Sequence, residues 1–256
     1  MASGVRIELD SATPGSIDGR QIRAVAFHDV RMQYVTATMA KTGMVAAERT
    51  ALVVGGGRGL LPRGLALLGL DVQSLDPSST ATQLARTDVE SDGLRVQYRT
   101  APAEQLDVAD AAFDIVYCAD TIEVTTDLAR VAGEAARALK PGGVLIYDTV
   151  NRTALARLIY LGLFQAIPAT RIMPPGRYTA DRLRRPAELA EALSRHGLRN
   201  EDICDFKPGN PIHLLRAVLA RRRGTITDEQ IPPLVKFALN PSGRPLVTYL
   251  GYARKM

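Results

Sequence analysis

Apolar and polar positions alternate at helical spacing over residues 22–47, which predicts a first amphipathic helix. A second rhythm follows. Short apolar runs at 51–54, 71–75, 94–98, 113–118 and 144–147 read as strands. Between them, 60–68, 81–89 and 128–139 repeat at helical spacing, the last closed by Lys140-Pro141-Gly142-Gly143. Strand and helix alternating at this interval predict the α/β class: a doubly wound, seven-stranded, mostly parallel sheet with helices on both faces and right-handed crossovers. Residues 151–185 break the rhythm with an insertion whose apolar segment spans 154–167. A helix at 186–194 and strands near 200–206 and 246–252 complete the pattern. The first 21 residues, rich in Gly, Ser and Asp, are expected to be a flexible arm, leaving 22–256 as one domain.

Composition narrows the class. No apolar run reaches the length of a membrane-spanning helix, and the N-terminal stretch lacks a basic segment followed by an apolar core. The two cysteines, Cys118 and Cys204, make no disulfide framework and lack metal-ligand spacing. A reduced, cytoplasmic protein is expected. The net charge is +5, and from Lys207 onward nine Lys/Arg face two Asp/Glu, with Arg221 to Arg223 the densest cluster. A solvated surface is the expectation, with contact to an anionic membrane or acidic substrate as the alternative. Trp is absent and aromatics are few, so nucleic acid is not an expected partner.

The loop Gly55-Gly56-Gly57-Arg58-Gly59 follows the first strand and opens the next helix. Glycines there let the backbone approach a ligand closely. Asp76 ends the second strand, where a carboxylate can accept both hydroxyls of a ribose. A dinucleotide loop needs G-x-G-x-x-G, but Gly55, Gly57 and Gly59 are spaced G-x-G-x-G and Leu60 stands where the third glycine would be. That spacing favours S-adenosylmethionine, an adenosine cofactor without phosphates.

Eight stretches together resemble the ubiquinone-biosynthesis O-methyltransferase family of class I S-adenosylmethionine-dependent methyltransferases. They are FHDVRMQYV, VVGGGRG, SLDPS, FDIVYCADTIEVTTD, LKPGGVLIYDTVNRT, PPGRYTADRLRRPAEL, GNPIHLL and VTYLGYARK, and the resemblance covers roughly residues 25–256. It implies that Arg31 approaches the cofactor's carboxylate, that Gly55 and Gly57 lie under its methionine portion, and that Asp76 holds the ribose. Ala103 would sit near the adenine and Ala119 at the cofactor's edge.

The chain departs from the family at three polar positions. Val53 replaces an acid two residues before the first glycine; one lost charged hydrogen bond would weaken cofactor binding by about 1–2 kcal/mol. Pro102 replaces an acid near the adenine. Val124 replaces the histidine of a divalent-metal site, leaving Asp120 and Glu123 as a Mg²⁺ pair short of its third ligand. The alternative reading makes Asp120 a helix cap and Glu123 an exposed side chain.

Methyl transfer to a hydroxyl needs aligned reactants and a proton acceptor. His213 in GNPIH is the first candidate base; His28 is another, and Asp148 could orient either. Tyr147, Asn151 and Arg152 end the fifth strand, the edge expected to touch substrate. The insertion reads as a lid with Leu158, Leu161, Phe164 and Ile167 toward an apolar acceptor, or as an amphipathic segment lying on a membrane. The expected activity is O-methylation of a hydrophobic hydroxylated small molecule, a quinone precursor or secondary metabolite. The alternative is a protein of this fold that binds the cofactor but catalyses a rearrangement or cyclisation without methyl transfer.

Overall fold

The structure is a computed structural model that describes residues 5–11 and 13–256, without the side chains of Ser91 and Asp92. Helix α1, Gly19–Thr42, starts where Asp18 accepts from the Arg20 and Gln21 amides and stops at Gly43 in the left-handed conformation. The chain then alternates: β1 Thr50–Val54, α2 Leu60–Leu67, β2 Asp71–Asp76, α3 Ser79–Asp92, β3 Val96–Thr100, β4 Phe113–Cys118, α4 Leu128–Ala138 and β5 Leu139–Val150. The insertion holds α5, Ala154–Arg157, which widens into a π-helical stretch at Leu158–Ala166. After it come α6 Pro186–Ser194, β6 Leu198–Pro208, α7 Pro211–Arg222, α8 Ile231–Val235, β7 Phe237–Asn240 and β8 Thr248–Lys255.

The sheet has eight strands in the order β3-β2-β1-β4-β5-β8-β6-β7. Strands β1 to β5 are parallel neighbours, and β8 enters antiparallel beside β5. The expected seven become eight because β7 pairs with the end of β6. It is four residues long, half exposed, and carries no alternating pattern to betray it. Helices α7 and α8 were likewise not foreseen.

Both faces of the central strands are covered, which is why they read as unbroken apolar runs. Val53, Ile115, Tyr117 and Ile146 pack toward α1 and α2, while Leu52, Val116, Leu145 and Tyr147 pack toward α4 and α6. Val53 is fully buried, so the side chain that replaces the expected acid serves the core beneath α1.

Of the segment expected to be a flexible arm, residues 1–4 and 12 lie outside the described residues. Much of the rest is fastened: Ile17 is buried, Arg58 reaches the Ser11 carbonyl at 2.8 Å and Asp18 at 2.7 Å, and Arg20 pairs with Asp10 at 2.8 Å. The basic cluster is also not simply a solvated face. Arg221 pairs with Asp228 at 2.5 Å and donates to the Ser16 carbonyl at 3.0 Å; Arg222 donates to the Pro168 carbonyl at 2.7 Å. These arginines tie α7 to the N-terminal segment and the insertion.

Candidate active site

The chain turns back between β1 and β4, and the strand ends there form a crevice. Gly55 has φ +82°, and a Cβ on it would lie 2.1 Å from the Ala119 carbonyl oxygen. The loop can pass β4 this closely only as glycine. Gly57, φ +56°, differs: its Cβ would meet only the Arg20 guanidinium, at 3.8 Å, so it faces the crevice. Gly59 caps α2, and its Cβ would strike the Tyr98 hydroxyl at 2.5 Å. Its role is close packing, a correction to its expected place in the cofactor loop's contact surface.

Asp76 is buried and accepts from the Gly57 amide at 2.8 Å and the Ser78 amide at 2.9 Å. It also takes both arms of Arg20, at 2.6 and 3.3 Å. Arg20 thereby fills the crevice, whose free volume of about 20 Å³ equals roughly one water. Arg20, Arg31, Gly55, Gly57, Ala119 and Asp120 line it. The donor set fits S-adenosylmethionine: a carboxylate for the ribose, an open glycine backbone under the rest, and strand ends at the edge. Admitting it requires Arg20 to release Asp76. Ala103 is buried among the core residues of the α4 side and is not part of the lining.

Arg31, placed toward the cofactor by the resemblance, is buried between Asp120 at 2.9 Å and Asp148 at 2.7 Å. Arg23, one of two buried arginines the sequence reading passed over, lies 2.9 Å from Asp120 and 2.8 Å from Glu123. Burial pushes the Asp148 carboxyl upward, with Arg31 opposing. Burial also works to raise Asp120, but Arg23 and then Arg31 override it and hold it low, at about 2. Asp120 caps no helix; it sits in a loop with φ +47°. Glu123 is fully buried rather than exposed. Both carboxylates are already held by guanidinium groups, Val124 supplies no third ligand, and among the described residues no group of three or more His, Cys, Asp or Glu could hold a metal ion. The residues do not fit Mg²⁺.

Beyond Arg23 opens a cavity of about 720 Å³ with mostly apolar walls. Ile22 and Phe27 of α1, Ile159 and Phe164 of the insertion, and Leu214 and Val218 of α7 line it. Phe164, expected to face an apolar acceptor, lines this cavity. Leu158 and Ile167 are instead 59 % and 42 % exposed, and Leu161 packs against the core without lining the cavity. The reason is the π-helical stretch: its wider turn brings Leu155, Ile159 or Tyr160, and Phe164 to one face, a spacing that an ordinary helical period misses.

Five further candidates fall outside both spaces. His213 is exposed on the outer side of α7, in a separate surface groove, because the helix turns Leu214 and Val218 inward. His28 packs against Gly64 of α2, its Cε1 2.9 Å from where a Cβ would be. Tyr147 points to the α4 side, where its hydroxyl donates to Asn200 at 2.5 Å. Asn151 holds the Pro245 carbonyl at 2.6 Å, and Arg152 holds the Leu183 carbonyl at 2.8 Å and the Glu188 carboxylate. They brace the base of the insertion. Asp148 alone of the three catalytic candidates lies in the buried cluster. The signal for Arg20 and Arg23 was present in the sequence: with Arg31 they recur on the apolar side of one helix, where a charge needs a buried partner.

A glycine loop after β1, an acid ending β2 and a crevice at the sheet's switch point define a class I S-adenosylmethionine-dependent methyltransferase. A family described as "Methyltransferase domain" matches residues 52–147. A ubiquinone biosynthesis O-methyltransferase of Xanthomonas axonopodis pv. citri (strain 306) is 34% identical over 187 residues, 73% of this chain and 75% of that one. One from Xylella fastidiosa (strain M23) is 34% identical over 206 residues, 78% and 81% of the two chains. The protein belongs to the ubiquinone biosynthesis O-methyltransferase family, and S-adenosylmethionine is its cofactor. Among solved structures, a SAM-dependent methyltransferase from Aquifex aeolicus superposes with a TM-score of 0.57 at 15% identity, covering 91% of this chain and 93% of its own, a likeness of fold.

Proposed function

We propose that the protein methylates a hydroxyl group on a hydrophobic small molecule of the quinone-precursor type. The observation that carries this reading is the 720 Å³ apolar cavity that meets the cofactor crevice at Arg23 and Asp120. An apolar acceptor gains from burial there, and its polar end would lie against the charged cluster. The family's printed name points to the same class of acceptor. When bound, the cofactor supplies a methyl group on a sulfonium, already a good electrophile. The chain's part is to hold the ribose on Asp76, exclude water and place the acceptor in line.

Hydroxyl methylation releases a proton. Neither His213 nor His28 lines the cavity; Asp205 does, and its carboxylate is the proton acceptor at hand. The 151–185 insertion acts as a lid, since Leu155, Ile159 and Phe164 form part of the cavity wall. The exposed Leu158 and Ile167 keep the membrane-contact reading beside it, for an acceptor delivered from a bilayer. Relatives named as O-methyltransferases do not favour the non-methylating alternative. The test is to incubate the protein with methyl-labelled cofactor and catechols with and without a prenyl tail. Label transfer that favours the tailed acceptor is expected. Cofactor binding without transfer to any of them would overturn the proposal.

A further inference from the structure

Tyr160 belongs to the π-helical stretch and lines the apolar cavity, yet only 2% of it is exposed. Its ring is held on three sides. The Arg23 guanidinium lies over it at 5.3 Å, and the rings of Tyr178 and Phe164 meet it edge to face, with centroids 5.1 and 5.6 Å away. The ring cannot turn without displacing these neighbours, so its hydroxyl has a fixed place. The ring sits at the cofactor end of the cavity, because Arg23, which packs on it, also pairs with Asp120 of the crevice at 2.9 Å.

A buried tyrosine hydroxyl ordinarily finds a hydrogen-bond partner. The other buried polar side chains of the cavity wall have found theirs. Arg23 donates to the Tyr178 hydroxyl at 2.6 Å and pairs with Asp120 and Glu123; the Asn240 amide donates to one oxygen of Asp205 at 2.9 Å; Thr248 donates to the Phe206 carbonyl at 3.1 Å. The Tyr160 hydroxyl has no partner among the described residues. Unlike the Tyr117 hydroxyl, which is sealed in the core, it is open to the cavity. Burial raises it above the ordinary tyrosine range, with Arg23 opposing, so it stays a neutral O–H and can donate.

We propose that Tyr160 is an acceptor-binding residue of the methyl-transfer site: its hydroxyl donates a hydrogen bond to the oxygen of an acceptor whose apolar body fills the cavity. A single fixed donor among apolar walls discriminates through what it leaves unpaired. A molecule with an oxygen at that point fills it, and a hydrocarbon of the same shape buries it unsatisfied. The walls accept the rest of the body by burial alone, so Tyr160 selects for the oxygen and not for the tail. The inference rests on the acceptor reading given above.

The test is a fluorescence titration of the full chain with 2-naphthol and with 2-methylnaphthalene, which carries a methyl in place of the hydroxyl. It needs no methyl transfer. Wild type is expected to bind both and to prefer 2-naphthol. Tyr160→Phe removes the hydroxyl and keeps the ring. It should lower the ratio of the two affinities by about three- to tenfold, bind 2-methylnaphthalene at least as tightly as wild type, and melt at the wild-type temperature, since no bond within the chain is lost. An unchanged ratio would overturn the proposal. So would a variant that fails to fold or melts well below wild type, because the hydroxyl would then serve the fold. Wild type that binds neither compound would overturn the acceptor reading and this inference with it, whereas an unchanged ratio overturns this inference alone.

Discussion

Arg20 and Asp76 form a buried ion pair, Nη2 to Oδ2 2.6 Å, at the strand end proposed to hold the cofactor's ribose. The pair belongs to a larger arrangement. Along α1, Arg20, Arg23 and Arg31 each face carboxylates toward the C-terminal ends of parallel strands: Asp76 ending β2, Asp120 after β4, Asp148 in β5. The helix thus neutralises the acids of the crevice, and any ligand that needs one must compete with a guanidinium.

For Arg20 the competition has a measurable consequence. Its second partner, Asp10 at 2.8 Å, remains when Asp76 is given to a ribose, so the arginine need not be left unpaired. Arg20→Gln removes the competitor and should tighten S-adenosylhomocysteine by about three- to tenfold, the reciprocal of the fraction of time Asp76 is otherwise free. Calorimetry checks this. Weaker binding by the variant would show that Arg20 contributes to holding the ligand.

Gly55 and Gly57 should separate stability from binding. A methyl group on Gly55 collides with the Ala119 backbone, so Gly55→Ala should lower stability by at least about 2 kcal/mol. Gly57→Ala incurs only the left-handed backbone cost, about 1 kcal/mol, because its methyl enters the crevice. The same methyl should reduce cofactor affinity more than about tenfold. Denaturant melts and calorimetry on both variants distinguish the two effects.

Most of the parallel half of the fold was legible because its strands are buried on both faces and its helices on one. The five predicted strands match β1 to β5 within a few residues, except that β5 starts earlier, at Leu139. The loop and Asp76 were legible because a close backbone approach demands glycine and a strand end presents its last side chain. The C-terminal part was not, because α7 mixes exposed leucine with buried alanine and β7 is a short edge. His213 misled for a related reason. Its neighbour in a family motif faces the cavity, and one residue along a helix turns a side chain by about 100°. Arg23 was missed because its partners lie about a hundred residues away on other elements, and the only local hint was its place with Arg20 and Arg31 on the apolar side of one helix.

Asp148 gives the site a pH signature. Burial, its largest influence, pushes the carboxyl up to about 6 from the ordinary 3.8, against the pull of Arg31. The folded chain therefore binds this proton more tightly than the unfolded chain. The resulting stability is fully present below about pH 4 and is lost as pH rises through about 6. Asp148→Asn keeps a neutral group there at every pH. The variant's stability relative to wild type, read from denaturant melts, should rise between about pH 4 and pH 7 and then level off, by an amount on the order of 1–3 kcal/mol. A difference that falls over that range would mean that Arg31 holds the carboxylate ionised.

The account depends most on Asp76 as the ribose-binding group, and titration of S-adenosylhomocysteine into wild type and Asp76→Ala measures it directly. Saturable one-to-one binding by wild type is predicted, weakened at least about tenfold in the variant while circular dichroism shows the fold retained. Equal affinity in the two proteins, or a wild-type chain that gives no binding heat up to about millimolar ligand, would contradict it.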